Sequence, residues 1–376
     1  MFTKAGITIA ALLIVVGFAS CDGEQKKSST DISRNRDTLI VLKNDSVTLK
    51  VSRFGGAFTQ FEFNDQQLNP LDWRIPVSEM PENNKKGAPF QGHFLCLGRW
   101  GSPTEGEIKS GIPHNGEPSN NWWKDSITDS QTIKMKSLAP LEQWEVNRKI
   151  KLSPRQALFE VEETFTNLQN TGRFTTIVQH ATLGGAFLDE NTVVNTNAGW
   201  GFNQSLATRS LSAYEYQWPN GFSDTLKTNL NLSLSKTTNG YVTTHVIDDP
   251  IGWATASNPS KHLLIGYVWK REDYPWLHIW HGIKNGKPWA KGIEFGTTGI
   301  GDTYPPETRA TLSFHGWNNN RFVDALGSVT YKYYCFLVRI PSGSGKTVSI
   351  KLIDNQIEVV YVTDGRLFTT KFITHL

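Results

Sequence analysis

Hydrophobic and polar residues alternate along most of the chain with the two-residue period of half-buried strands. No segment holds a helical period for as long as a globular helix needs. The runs "TLIVLKN", "SVTLKVSRF", "AFTQFEFN", "QWEVNRKIKL", "ALFEVEETFTN", "FTTIVQHATL", "HLLIGYVWK", "ATLSFHGW", "VTYKYYCFLVRI" and "TVSIKLID" are short and rich in β-branched or aromatic residues. Between them, "NDS", "SPR", "NLQNTG" and "PSGSG" carry turn chemistry. There is no internal repeat, and nothing after the N-terminal region reads as an interdomain linker. The pattern predicts an all-β protein, a single large antiparallel β-sandwich over residues 37–376.

The N-terminus breaks this pattern. A Lys near the start, an apolar run from Ile7 to Ala19 and small residues before Cys21 have the layout of a secretory signal over 1–20. The apolar run is short for a comfortable membrane span. Residues 21–36 are polar and aperiodic and read as a flexible tether. The layout resembles a bacterial lipoprotein signal, which implies lipidation at Cys21 and a protein anchored in the cell envelope, on the periplasmic or outer side. The membrane then enters only through that anchor; a plain cleaved signal is the alternative.

Charge and composition narrow the classes. The 38 Lys and Arg nearly balance the 35 Asp and Glu, so neither a nucleic-acid footprint nor an acidic tail is present. Thirteen Trp stand beside many Asn, Gly and Thr. Such a mixture suits loops that grip sugars, whose ring faces are apolar and whose hydroxyls match amides, although much of the Trp belongs in a β-rich core. Cys96 and Cys335 lie in apolar strand-like runs, open to reading as an exported disulfide or as two buried thiols.

Several apparent motifs carry no chemistry. "SGSGKT" needs a Gly at 340 to be a phosphate loop; Ile340 stands there, and the segment reads as a hairpin turn. His278 and His281 are three apart, which on a strand points them to opposite faces rather than to one zinc ion. No Gly-x-Ser-x-Gly elbow appears. No metal or cofactor is called for. The informative stretch is "KGIEFGTTG" (291–299), which places one carboxylate, Glu294, in a run that otherwise reads as a buried strand. Burying an ionised carboxylate costs several kcal/mol or forces it to take up a proton, so Glu294 faces solvent or does chemistry.

Three stretches, "GIPHNGEPSNNWW" (111–123), "TIVQHATLGGAFLDENTVV" (176–194) and "LHIWHGIKNGKPWAKGIEFGTTG" (277–299), occur in an order and spacing that resembles the galactose mutarotase-like superfamily, the aldose 1-epimerases and their relatives. "SRFGGAFTQFEFNDQQLNP" is similar to the family's first hairpin. The resemblance covers nearly the whole chain after the tether. It implies a supersandwich fold and an isomerase that interconverts sugar anomers. Glu294 would be the general base that takes the anomeric hydroxyl proton, and His180 the acid that protonates the ring oxygen. Both side-chain types can pass protons near neutral pH.

The first motif departs from the family: "IPHNGE" has Asn115 where relatives carry the histidine, with His114 one position early. His114 is the third candidate catalytic residue, and Asn115, Glu117, Asn120, Trp122 and Trp123 are candidates for the mouth of the sugar site. The amides of "NTNAGWGFNQ" (195–204) are candidates for reading hydroxyls. The expected partner is a mono- or oligosaccharide. A sugar-binding protein without catalysis is the alternative on the same fold, and a polysaccharide-degrading enzyme a further one.

Overall fold

The computed structural model of the protein describes residues 38–206, 215–223, 228–237, 239–301, 313–343 and 345–374. Cys21 and the expected signal and tether lie outside these residues.

Two large antiparallel sheets face each other. The first has ten strands in the order Leu39–Lys43, Val47–Ser52, Phe58–Phe63, His93–Leu97, Ile177–Leu183, Lys287–Gly296, Trp276–Lys284, Tyr241–Ile247, Ala198–Asn203 and Tyr216–Gln217. The second has eight: Val193–Thr196, Ile251–Asn258, Leu263–Lys270, Ser328–Arg339, Leu158–Asn167, Trp144–Leu152, Thr132–Ala139 and Lys124–Asp129. The alternation in sequence is the reason they pack. Alternate residues such as Leu49, Leu95, Ile177, Leu277 and Ile293 from the first sheet meet Val146, Phe159, Val161, Tyr267 and Leu337 from the second in one continuous core. The expected large antiparallel sandwich is the observed fold. Among the described residues the sole α-helix is Glu105–Lys109, capped reciprocally by Thr104 and Glu107.

A polar tie runs through this core. Arg148 donates through Nε to Glu163 at 2.6 Å and bonds the Gly56 carbonyl, while Gln179 reaches the other Glu163 oxygen at 2.5 Å. The guanidinium also lies 4.4 Å from the Trp123 ring centroid. The two buried charges pair with each other, as low dielectric requires, while Arg148 Nη2 is buried without a hydrogen-bond partner among the described residues. Gln179 belongs to the first sheet and Glu163 to the second, so the tie fixes the strand that carries His180.

Three sequence expectations are corrected. "PSGSG" is no hairpin turn: the strand before it belongs to the second sheet, whereas Lys346–Ile353 pairs with Gln356–Thr363 in a separate three-stranded meander completed by Arg366–Ile373. Ile350, Ile357, Val359 and Phe372 of that meander cover Leu158, Leu264, Phe336 and Val338 on the outer face of the second sheet, making a third layer. "FTTIVQHATL" is two strands, Arg173–Thr175 and Ile177–Leu183, that pair in different sheets. "ATLSFHGW" is no continuous strand over its described part, because His315 and Gly316 take positive φ and turn Ser313–Phe314 back on Trp317–Asn318. Cys96 and Cys335 are buried free thiols; Cys335 is in the main core and Cys96 in a cluster on the opposite face of the first sheet.

Candidate active site

The register of the first sheet builds the site. His180 pairs with Phe94 on one side. On the other side, the pairings Gln179 with Phe295 and Thr182 with Gly292 set His180 opposite Glu294. Glu294 in turn pairs with His278, and His278 with Thr244. One row across five strands therefore reads Phe94, His180, Glu294, His278, Thr244, all on the face turned away from the main core. Residues next to them in sequence, such as Gln179, Ile293 and Leu277, point inward to the core, so alternation holds the polar row out of it.

Over Phe94, His180 and Glu294 of this row lies a cavity of about 420 Å³, within the range of small-molecule sites. Its walls are largely aromatic. Trp73, Phe90, Phe94, Trp100 and Trp280 line it, and Trp73 meets Trp280 edge-on at 5.4 Å. Its polar groups are Glu294, His180, His114, Asn115, Gln204 and Glu79. The Trp73 indole Nε1 is buried without a hydrogen-bond partner, a cost that an accepting ligand oxygen would remove.

Glu294 is held from two sides. The Trp100 indole donates to Oε2 at 2.8 Å, and His180 Nε2 stands 3.4 Å from Oε1. The Trp100 ring is in turn stacked on His278, with centroids 3.9 Å apart, and His278 Nδ1 shares a 2.8 Å hydrogen bond with the Thr244 hydroxyl. The His180 ring lies against Phe94 at 4.3 Å and is fixed through Nδ1 by the Thr182 hydroxyl at 2.9 Å. Gly292, two residues before Glu294 on the same face, leaves the space its carboxyl occupies: a Cβ there would collide with Oε1.

Burial sets the protonation states. Glu294 is pushed up to about 8 by desolvation, against which the Trp100 hydrogen bond works. Desolvation lowers His180 to about 3, with the charge of His114 a further, smaller cause. Both shifts favour the uncharged forms, a protonated carboxyl beside a neutral imidazole.

The 111–123 segment divides its side chains between two sides. His114 lines the cavity, with Nδ1 3.3 Å from the Ser102 hydroxyl, and burial lowers it to about 4. Asn115, at a φ of 64°, also lines it, but its Oδ1 accepts from Gly101 N–H at 2.8 Å and its own N–H returns a bond to Gly101, so it clamps the neighbouring loop. Glu117, Asn120, Trp122 and Trp123 are not brought to the cavity. Glu117 and Glu142 exchange backbone-to-carboxylate bonds at 2.8 and 2.9 Å. Asn120 bonds Gly116 and Asn84 inside the loop. Trp123 is buried over Arg148 and donates to Pro118. Trp122 is exposed and stacked on Phe54 elsewhere on the surface. Tight turns at Gly55 and Gly56 explain this: a Cβ on Gly55 would lie 2.7 Å from the Ser119 carbonyl, so this part of the loop is packed on the first hairpin.

Sequence reasoning missed Trp73, Phe94, Trp100, Trp280 and His278 as site residues. The excess of Trp was the available signal, but it does not say which rings leave the core. Within "NTNAGWGFNQ", Gln204 is the residue that lines the cavity; it donates to the Gly299 carbonyl at 2.7 Å and accepts from Gly301, bracing the loop after Glu294.

No protein-family model matches the sequence, and no curated protein matches it significantly. Solved structures do match. A galactose mutarotase-like protein from Clostridium acetobutylicum superposes with a TM-score of 0.58 at 13% identity, covering 80% of this chain and 95% of that one. A galactose mutarotase related enzyme from Lactobacillus acidophilus gives 0.56 at 9% identity, covering 81% and 98%. A galactose mutarotase-like protein from Lactobacillus casei gives 0.55 at 11% identity, covering 80% and 100%. At these identities the likeness is one of fold, and the chain has the galactose mutarotase-like sandwich fold.

Proposed function

We propose that the protein is an aldose 1-epimerase-type isomerase, which binds a mono- or oligosaccharide end in the aromatic cavity and exchanges its anomers. The observation that carries this reading is the close pair at the cavity floor, Glu294 Oε1 and His180 Nε2 at 3.4 Å. Anomer exchange balances across such a pair. One proton leaves the anomeric hydroxyl for Glu294, one reaches the ring oxygen from His180, the bond between C1 and that oxygen breaks, and C1 becomes a carbonyl. Rotation about the adjacent bond and the reverse transfers close the other anomer. The pair begins and ends with one proton.

The ionised form that this step needs, carboxylate and imidazolium, differs from the resting form by one transfer within the pair. Sugar hydroxyls bound to Glu294 would favour the carboxylate, and the aromatic walls would stack on the ring face while excluding water. His114, which lines the cavity, would hydrogen-bond a sugar hydroxyl. The test is the NMR anomer-exchange rate for a panel of aldoses. Glu294→Gln and His180→Asn should each lower it roughly 10²–10⁴-fold while sugar binding persists. A wild type that binds sugars without exchanging them would be a binding protein on the same fold.

We also propose anchoring through Cys21, from the signal-like sequence before it. Cys21→Ser should then move the protein from the membrane fraction to the soluble one; a wild type already soluble contradicts it.

A further inference from the structure

The outer face of the second sheet carries a cluster of lysines in an unfavourable register. Lys124 on Lys124–Asp129 stands directly opposite Lys136 on Thr132–Ala139, and Lys134 directly opposite Lys149 on Trp144–Leu152. Like charges facing each other across strands destabilise a sheet, and a staggered arrangement would keep the protein as soluble without that cost. Three acids lie nearby: Asp125 is held by Arg53 at 2.8 Å, Glu145 pairs with Lys136 of the cluster at 2.8 Å, and Glu162 stands opposite Lys149 and 3.4 Å from Lys332, which leaves Lys124 and Lys134 as the cluster's cations with no ion pair among the described residues. Lys124, Lys134 and Lys136 are exposed.

This basic face runs into an aromatic platform. Two depressions share Lys124 and Lys136 as common walls; one continues over Lys134 and Lys149, with Asp125 and Glu162 also in its lining, the other over Lys86, Asn121, Trp122 and Phe54. Trp122 is 42% exposed and lies flat on Phe54, with centroids 4.8 Å apart and planes within 15°. A large ring held rigid and open to solvent at the end of a lysine track has the two features an anionic sugar chain needs: a flat apolar surface for a pyranose face and cations for its carboxylates or sulfates.

We propose that this surface is a second carbohydrate site, distinct from the cavity, which binds an acidic polysaccharide with one sugar ring on Trp122 and its negative groups on the Lys124–Lys136 and Lys134–Lys149 pairs. A bound polyanion would offset what remains of the repulsion between the facing lysines. The same 111–123 segment then serves both places, with His114 and Asn115 turned to the cavity and Asn121 and Trp122 to the track. The site does not depend on the cavity being catalytic.

Binding of a galacturonic acid hexamer, measured by calorimetry and by Trp fluorescence, tests this directly. The wild type should bind it in a salt-sensitive manner and should not bind maltohexaose at this surface. Trp122→Ala should weaken binding roughly tenfold, and Lys124→Glu with Lys136→Glu should abolish it. All these positions are exposed, and an unchanged far-UV spectrum confirms the fold; if the double variant does not fold, Trp122→Ala decides alone. Absence of hexamer binding, binding that Trp122→Ala leaves intact, or tighter binding to phosphatidylglycerol vesicles or to an oligothymidylate would each overturn the proposal.

Discussion

Glu294 poses the central problem at the scale of single residues, because a carboxyl that is 1% exposed has to be either neutral or well solvated by protein. Trp100 decides how far it goes. Its indole hydrogen bond favours the carboxylate, opposing the desolvation that raises Glu294 to about 8. Trp100→Phe keeps a ring on His278 and removes that donor. The basic limb of the pH–rate profile should then move to higher pH, and exchange at pH 7 should fall roughly tenfold, the worth of a hydrogen bond to a charged group. A profile that moves to lower pH, or not at all, would show that Trp100 only fills space. The carboxylate out of place in a strand run was legible in the sequence. Its partner Trp100, 194 positions away, was not, since nothing in the local pattern announces a contact of that span.

Register decides the next level. The strands that bear His180, His278 and Glu294 were readable as strand-like runs, whereas Tyr241–Ile247, which bears Thr244, was not singled out; the two-residue period also told that His278 and His281 part company, and His281 lies on the opposite face, stacked on Tyr241. What alternation cannot give is which residue stands opposite which, because a slip by two residues preserves every face. The row from Phe94 to Thr244 exists through register alone. The 111–123 loop shows the same limit. Its residue types suited a sugar mouth, yet packing on Gly55 and Gly56 turns Glu117, Asn120 and Trp123 inward. Gly292 gives an element-scale prediction. Gly292→Ala puts a methyl where the Glu294 carboxyl sits, so it should cost about 1–3 kcal/mol of stability by overpacking and displace the Glu294–His180 pair. Thermal unfolding and exchange rate should fall together; an unchanged rate would mean that the carboxyl position is not critical.

For the whole molecule, the sandwich was predictable because two-residue alternation over so many short segments has few other solutions. The third layer was not, because the strands of the C-terminal meander read like those of the sandwich. Burial has a global consequence as well. Six histidines are held neutral: His93, His180 and His278 are lowered to about 3, and His114, His245 and His281 to about 4, chiefly by desolvation. Between those values and the ordinary 6.5 the unfolded chain binds more protons than the folded one, so stability should fall as pH drops through this window and be restored as it rises. Denaturant unfolding at pH 7 and pH 4.5 checks the sign, and equal stability at both would contradict it. The central claim, that Glu294 and His180 act as one proton-sharing unit, is tested most directly by the anomer-exchange rate of the double variant Glu294→Gln with His180→Asn beside each single one. Residues that act together lose their contribution once, so the double variant should be about as slow as either single variant; losses that multiply, or a double variant as fast as wild type, would contradict it.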